Sequence, residues 1–136
     1  MKYVLDTDIL IYFLKGHEHV VEKVSVVAQS DLSTTVINQT ELLYGVFNST
    51  QKEQNLKKIQ EFLKEIRVLE FSPAASMHFA RHKAHMKKQG NLLADMDLMI
   101  ASIVLAHDGI LVTNNIKHFE KIKELKFENW SKKPSG

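Results

Sequence analysis

The stretch that decides the fold is KYVLDTDILIYFLKG, residues 2–16. The run from Lys2 to Leu5 favours a β-strand, and an acid, Asp6, follows it directly. Thr7 then offers an N-cap for a helix, and Lys15-Gly16 is a typical helix end. A strand, an acid at its end and a helix in direct succession predict the start of an alternating α/β pattern.

The same alternation continues to the end of the chain. It predicts an α/β fold with a mainly parallel central sheet of about five strands, flanked by helices on both faces. Ligands bind such sheets beyond the carboxyl ends of the strands, where the strand order reverses. Further strands are predicted at 32–37, 68–71, 110–113 and 126–130, and helices at 20–29, 38–46, 56–66, 73–90, 95–107 and 116–122.

Length and composition fit one globular domain. The chain has 136 residues, of which 44% are hydrophobic and 25% charged, and it contains no cysteine. These values exclude intrinsic disorder, a disulfide framework and a cysteine nucleophile. The longest nearly apolar stretch, 98–106, is too short to cross a bilayer, and Asp6 and Asp8 interrupt any leader peptide. We therefore expect a cytoplasmic enzyme or binding module without a membrane partner.

Positive charge is concentrated in one helical stretch. No acid occurs in residues 77–89, whereas Arg81, Lys83, Lys87 and Lys88 all lie there. A local basic face of this kind is typical of contact with a polyanion such as a nucleic acid. The alternative is an ordinary solvated helix face.

Four polar residues fall at the same predicted edge of the sheet. Asp6 follows the first strand, Glu41 and Asp97 lie in first helical turns, and Asn115 ends the fourth strand run. Acids that converge there would repel one another unless a cation lay between them. Oxygen ligands of this kind favour Mg²⁺, with Mn²⁺ as a substitute.

Each acid also has a purely structural interpretation. Glu41 can complete a capping box with Asn38, and Asp95 can be an N-cap. Their coincidence at one sheet edge favours the metal site. The remaining acids can be first-turn residues that suit a helix dipole, namely Asp6, Asp8 and Asp97.

The ordered motifs resemble the VapC family of PIN-domain ribonuclease toxins over essentially the whole chain. The resemblance implies a PIN-like three-layer sandwich over residues 1–131, followed by a short flexible tail at 132–136. The matching segments are LDTDILI at 5–11, ELLYGV at 41–46, MDLMIA at 96–101, LVTNN at 111–115, FEKI at 119–122 and ENW at 128–130.

The resemblance implies a site as well. Asp6, Glu41 and Asp97 would be the metal-binding acids, and Asn115 stands where many PIN domains carry a fourth acid. An amide there contributes an oxygen but no charge, which argues against a fully occupied second metal site. The residues expected to support the acids are Thr7, Asp8, Asp95 and Thr113.

The activity implied by the resemblance is Mg²⁺-dependent endoribonuclease cleavage by a metal-activated water. The implied substrate is RNA, in particular tRNA, with the anticodon loop of initiator tRNA as one candidate. The family also implies a homodimer and a VapB-like antitoxin whose C-terminal segment docks at the acidic site.

Two other functions are open at this point. A haloacid-dehalogenase-like phosphatase would use the D-x-D of residues 6–8 and the Thr motif at 111–115, but Asp95 and Asp97 precede that motif instead of following it. A catalytically inactive PIN-like binding module would show a degraded acidic set. All three metal-binding acids are present, which disfavours the binding module.

Overall fold

The computed structural model describes residues 1–133 and contains one five-stranded sheet. All strand pairs are parallel, and the spatial order is β3-β2-β1-β4-β5. The expected mainly parallel sheet of about five strands is therefore confirmed. The strands are β1 (Tyr3–Leu5), β2 (Leu32–Thr35), β3 (Arg67–Leu69), β4 (Ile110–Val112) and β5 (Lys126–Glu128).

Helices cover both faces of this sheet. Four of them follow β1 and β2, and three follow β3 and β4. In the described residues, none of the helices is both long and apolar enough to cross a membrane. The helices are α1 (Thr7–Leu14), α2 (Glu18–Val26), α3 (Val36–Phe47), α4 (Lys52–Leu63), α5 (Pro73–Lys88), α6 (Asp95–Ala106) and α7 (Ile116–Phe119).

Two hydrophobic cores lie on opposite faces of the sheet. Val4 and Leu111 pack into the core formed with α5, α6 and α7, whereas their neighbours Leu5 and Val112 pack into the core formed with α1 to α4. This division follows from the strand geometry, because successive side chains point to opposite faces. The three-layer sandwich is confirmed.

The strand order reverses at β1, which places the site. Tyr3 is in register with Leu32 of β2 on one side and with Ile110 of β4 on the other. The chain therefore builds outward from β1 in one direction and then returns to build in the other. The backbone N–H of Asp6 donates to the carbonyl of Val112 at 2.8 Å, so the ends of β1 and β4 meet at this switch point.

Most predicted helices and strands are present, with shifted ends. Ser72 caps α5 as expected, and the predicted buried helix is α6, with six fully buried residues between Leu98 and Val104. The helix predicted at 20–29 is α2, which begins at Glu18 and ends at Val26. The helix predicted at 116–122 ends at Phe119, and strands β2 to β5 are one to two residues shorter than predicted.

Three predicted N-caps are wrong. Asp6 caps α1 in place of Thr7, and Ala94 holds the N-cap position of α6 in place of Asp95. Thr35, not Asn38, caps α3. Helix α3 therefore begins earlier than predicted, so Glu41 lies in its second turn and cannot form the capping box.

The last three residues of the predicted tail, 134–136, lie outside the described residues.

Candidate active site

Asp6 is the centre of the site and is almost completely buried, with 7% of its surface exposed. Its Oδ1 accepts from the Thr7 backbone N–H and from Asn38 Nδ2, each at 2.9 Å. Its Oδ2 accepts from the Thr113 hydroxyl at 2.7 Å. Groups from the ends of three neighbouring strands thus fix this carboxylate in one orientation.

Burial and, to a smaller extent, the nearby charge of Asp8 together raise the pKa of Asp6 to about 7, although three hydrogen bonds to the carboxylate oppose this rise. The three donors favour the charged form, but they do not compensate for the loss of water around it. A carboxyl held in this state near neutral pH is one that a bound cation would stabilise in its charged form.

Asp8 is the second acid of the site whose charged form is destabilised by burial. Its Oδ2 accepts from the Asn114 backbone N–H at 3.1 Å, whereas its Oδ1 is buried and has no partner within the described residues. Burial raises the pKa of Asp8, and the charge of Asp97 adds to this effect. A buried carboxylate oxygen without a donor is costly, and a cation is a ligand that would remove the cost.

Helix α3 contributes Glu41 and the fully buried Asn38. Glu41 Oε1 accepts from the Thr7 hydroxyl at 2.5 Å, and the same hydroxyl oxygen accepts from Asn38 Nδ2 at 2.9 Å. Thr35 donates to Asn38 Oδ1 at 2.7 Å and so orients the amide. Asn38 therefore connects Asp6 to Glu41 through Thr7.

Asp97, in the first turn of α6, contacts His118, which follows β4. His118 Nδ1 lies 3.1 Å from Asp97 Oδ2 and 2.8 Å from Asn115 Nδ2. One ring nitrogen cannot donate to the carboxylate and accept from the amide at the same time, so these contacts are alternatives. Asn115 also donates its backbone N–H to the Thr113 hydroxyl oxygen at 2.9 Å.

The acids lie around the switch point but do not form a compact cluster. Within residues 1–133, no three Asp, Glu or His side chains are close enough to enclose one ion directly. The donor set consists of hard oxygen ligands, and Mg²⁺ usually keeps several waters and takes only one or two carboxylates. The residues present therefore fit a partly hydrated divalent cation.

Two groups predicted from the sequence lie further from these acids. The Asp95 carboxylate pairs with Lys83 Nζ at 2.9 Å and makes no side-chain hydrogen bond or ion pair with the acids of the site within the described residues. Arg81, Lys87 and Lys88 are exposed on α5. Lys83 is thereby the member of the basic face that the structure connects to the first turn of α6.

Sequence reasoning missed the part that Asn38, Asn114 and His118 take in the site. The sequence predicts a cap at Asn38, and the three-residue spacing between Asn115 and His118 is its only signal for the histidine. Asn114 contacts Asp8 through its backbone N–H, and the residue type gives no signal for a backbone contact.

A model of the PIN domain matches residues 3–125. Ribonuclease VapC2 of Haemophilus influenzae (strain ATCC 51907 / DSM 11121 / KW20 / Rd) is 36% identical over 132 residues, which cover 96% of this chain and 98% of the relative. The chain belongs to the VapC family of PIN-domain ribonucleases. This membership removes the phosphatase alternative.

Two further VapC proteins bear on function. The tRNA(fMet)-specific endonuclease VapC of Shigella flexneri is 33% identical over 131 residues, covering 96% of this chain and 99% of the relative. The crystal structure of VapBC2 from Rickettsia felis bound to a DNA fragment from its promoter contains a chain that superposes with a TM-score of 0.88. That chain is 33% identical, with 96% of this chain and 99% of that chain covered.

Proposed function

We propose that the protein is a Mg²⁺-dependent endoribonuclease toxin that is neutralised by a VapB-like antitoxin. The observation that supports metal dependence is that burial destabilises the charged forms of two neighbouring acids. Asp6 is buried with a pKa of about 7, and Asp8 beside it has a buried oxygen to which no group in the described part of the chain donates. A stable fold keeps such a costly arrangement where a ligand relieves it.

Asp6 and Asp97 would hold the ion, with Glu41 bound directly or through water. Mn²⁺, which prefers the same oxygen ligands, would substitute for Mg²⁺. When bound, the ion supplies charge stabilisation at the scissile phosphate and lowers the pKa of a water molecule.

The protein's own side chains orient this chemistry. Asn38 and Thr113 hold the Asp6 carboxylate, and Thr7 holds Glu41. Asn115 offers an amide at the edge of the site, which can donate to a phosphate oxygen. Attack of water on the phosphodiester would leave a 5′-phosphate and a 3′-hydroxyl, without help from the 2′-hydroxyl.

A metal-dependence assay tests this proposal. The purified protein should cut total tRNA with Mg²⁺ or Mn²⁺ and lose activity with EDTA. Asp6→Asn should lower the rate at least about a hundredfold, because it removes the charge at the centre of the site. Asp108→Asn is the matched control, since Asp108 lies in the turn after α6 with a φ of 51°, which asparagine tolerates.

Cleavage by Asp6→Asn at the wild-type rate would refute the assignment of Asp6. An absence of cleavage with every divalent ion would favour the inactive binding module instead.

For the substrate we propose initiator tRNA, cut in its anticodon loop. The support is the Shigella flexneri relative, a tRNA(fMet)-specific endonuclease that matches this chain over almost its whole length. Sequencing the new 5′ ends after digestion of total tRNA tests the proposal. Equal cutting of elongator tRNAs would leave a ribonuclease of broader specificity.

For the antitoxin we propose a groove that begins at Glu41. It has a volume of ≈ 370 Å³ between α1, α3 and α4, and its floor is apolar, with Ile11, Leu42 and Ile59. Lys15 and Lys58 lie at its margin. An amphipathic antitoxin segment with acidic residues would satisfy both features and bring its end to the acids. The homodimer that the family implies stays a prediction.

Ile11→Arg tests this groove, because Ile11 lines it and is 37% exposed, so a bulky cation there should prevent the segment from binding without entering the core. Co-purification with the antitoxin should be lost, whereas RNA cleavage should persist. Retained co-purification would place the antitoxin elsewhere.

A further inference from the structure

A second cavity lies beside the acidic site and has no part in the chemistry described so far. It has a volume of ≈ 450 Å³ and lies between α2 and the segment that follows β5. Its polar lining includes two carboxylates, one lysine and one histidine, so it differs in character from the apolar groove at Glu41. The lining residues used below are His19, Glu22, Lys23, Glu128, Asn129 and Trp130.

Hydrogen bonds connect this cavity directly to the acids. Asn129 Nδ2 donates to Asn114 Oδ1 at 3.0 Å, and the Asn114 backbone N–H donates to Asp8. Ser131 also donates its hydroxyl to Asn114 Oδ1, at 2.9 Å. Asn114 therefore links the cavity-lining Asn129 to Asp8, so a base bound in the cavity would lie close to the acidic site.

A row of rings runs from the same point into the cavity. Asn114 Nδ2 donates to the Tyr12 hydroxyl at 3.4 Å. The Tyr12 ring lies 5.0 Å from that of His17, and the His17 ring lies 5.8 Å from that of His19. All three side chains are only partly buried. Flat, partly exposed rings of this kind are the surfaces on which unpaired bases stack.

The chemistry at the end of this row favours a base that donates hydrogen bonds. Trp130 Nε1 donates to Glu128 Oε1 at 3.0 Å and so fixes the carboxylate. The other oxygen of Glu128 makes no hydrogen bond within residues 1–133. A fixed carboxylate accepts the paired N–H donors on the Watson–Crick edge of guanine and repels the acceptor atoms of uracil and adenine.

Lys23 completes the cavity. Its Nζ lies 5.9 Å from the centre of the Trp130 ring, and its side chain is exposed at the rim. An ammonium in this position balances the two carboxylates and can contact the phosphate attached to the bound base.

We propose that this cavity binds a guanine base next to the scissile phosphate, with Glu128 as the acceptor of its N–H groups and Lys23 as a phosphate contact. The proposal rests on the ribonuclease function, because it names the nucleotide that the same site selects. It adds a base-specific contact to a site whose other residues address only the phosphodiester.

The test uses Trp130, the chain's one tryptophan, as a reporter. The full-length protein in EDTA is titrated with 5′-GMP, and the indole N–H signal of Trp130 is followed by NMR. We expect a saturable shift with GMP and binding at least about tenfold weaker with AMP, CMP and UMP. IMP, which lacks the 2-amino group, should bind more weakly than GMP.

Glu128→Gln should lower the affinity for GMP about tenfold and leave the weak binding of AMP unchanged. The amide keeps an oxygen for Trp130, so the fold is retained. Glu61→Gln, on the exposed surface of α4, is the matched control and should bind GMP like the wild type.

Equal affinities for the four nucleotides, a Trp130 signal that does not move, or an unchanged GMP affinity in Glu128→Gln would each overturn the proposal. Displacement of GMP by a lower concentration of arginine amide would also overturn it, because the cavity would then recognise a protein guanidinium. This titration needs no cleavage, so a protein that binds GMP but cuts no RNA would overturn only the proposed function.

Discussion

The surroundings of Asp6 favour the binding of a cation to its carboxylate. Its carboxylate is held by donors from Thr7, Asn38 and Thr113, yet burial keeps its pKa near 7. The hydrogen bonds give the side chain a fixed position, whereas desolvation makes its charge costly. The position is therefore ready before any cation binds.

Stability without metal should depend on pH through Asp6. A carboxyl whose pKa is raised on folding binds its proton more tightly in the folded state, so its ionisation lowers stability as pH rises from about 4 to about 7. The upper limit of this loss is on the order of 4 kcal/mol. Urea unfolding in EDTA at several pH values, for the wild type and Asp6→Asn, measures it.

Relative to the wild type, the Asp6→Asn variant should become more stable as pH rises across this range. Above it, the difference in unfolding free energy between the two proteins should stay constant. Added Mg²⁺ should restore the wild type at pH 8. A difference that does not change with pH would mean that Asp6 is well solvated.

Asn38 is not a proposed metal ligand, but its loss should weaken metal binding. Asn38→Ala removes the donors to Asp6 and Thr7, and we expect the Mg²⁺ concentration for half-maximal cleavage to rise about 10- to 100-fold. The buried partners left behind should cost about 1–3 kcal/mol of stability. Asn48→Ala, at the exposed end of α3, is the control. An unchanged Mg²⁺ requirement would reduce Asn38 to a packing residue.

At the scale of elements, the sequence predicted helices and strands better than it predicted helix caps. Hydrophobic periodicity is a local signal, so α5, α6 and the central strands could be placed from it. Caps depend on which of several neighbouring polar groups reaches a free N–H. Asp6, Thr35 and Ala94 took these positions because the preceding strand or loop ends there, which no local pattern encodes.

The turn between α6 and β4 should tolerate no extra methyl group. A Cβ at Gly109 would lie 3.1 Å from the Lys2 carbonyl oxygen and 3.3 Å from Val4 Cγ2. Gly109→Ala should therefore cost about 1–3 kcal/mol in urea unfolding, since Val4 lies in the central strand β1 and the Lys2 carbonyl accepts from the Ile110 backbone N–H. At Gly45, within α3, a Cβ meets nothing within 4 Å.

Gly45→Ala is accordingly the matched variant, and it should gain about 0.5–1 kcal/mol from helix propensity. Equal effects at the two positions would show that backbone entropy, not space, decides both.

At the scale of the whole molecule, the α/β class and the sheet edge could be predicted, but the side-chain network could not. Asp6, Glu41 and Asp97 were placed at one edge because parallel strands end together. Their connections through Asn38, His118 and Asn114 depend on the spacing between elements that are far apart in sequence. That spacing is set by packing in both cores.

The basic face of α5 should contribute to RNA affinity through charge alone. Changing Lys83, Lys87 and Lys88 together to Gln should weaken binding and flatten the slope of log K against log salt by about two. Filter binding of tRNA in EDTA at several salt concentrations measures this slope. The control changes three exposed lysines on and after α4, namely Lys52, Lys57 and Lys64.

An unchanged slope would show that the strand does not reach α5. Equal losses in both triple variants would indicate only a general attraction.

The central position of β1 has a consequence during translation. Thr113, whose hydroxyl holds the Asp6 carboxylate, is synthesised 107 residues after Asp6. Until β4 has been synthesised, β1 has a neighbour on one side alone, and the first acid has no fixed orientation. A chain that stops before Thr113 is therefore expected to lack a preorganised acidic site.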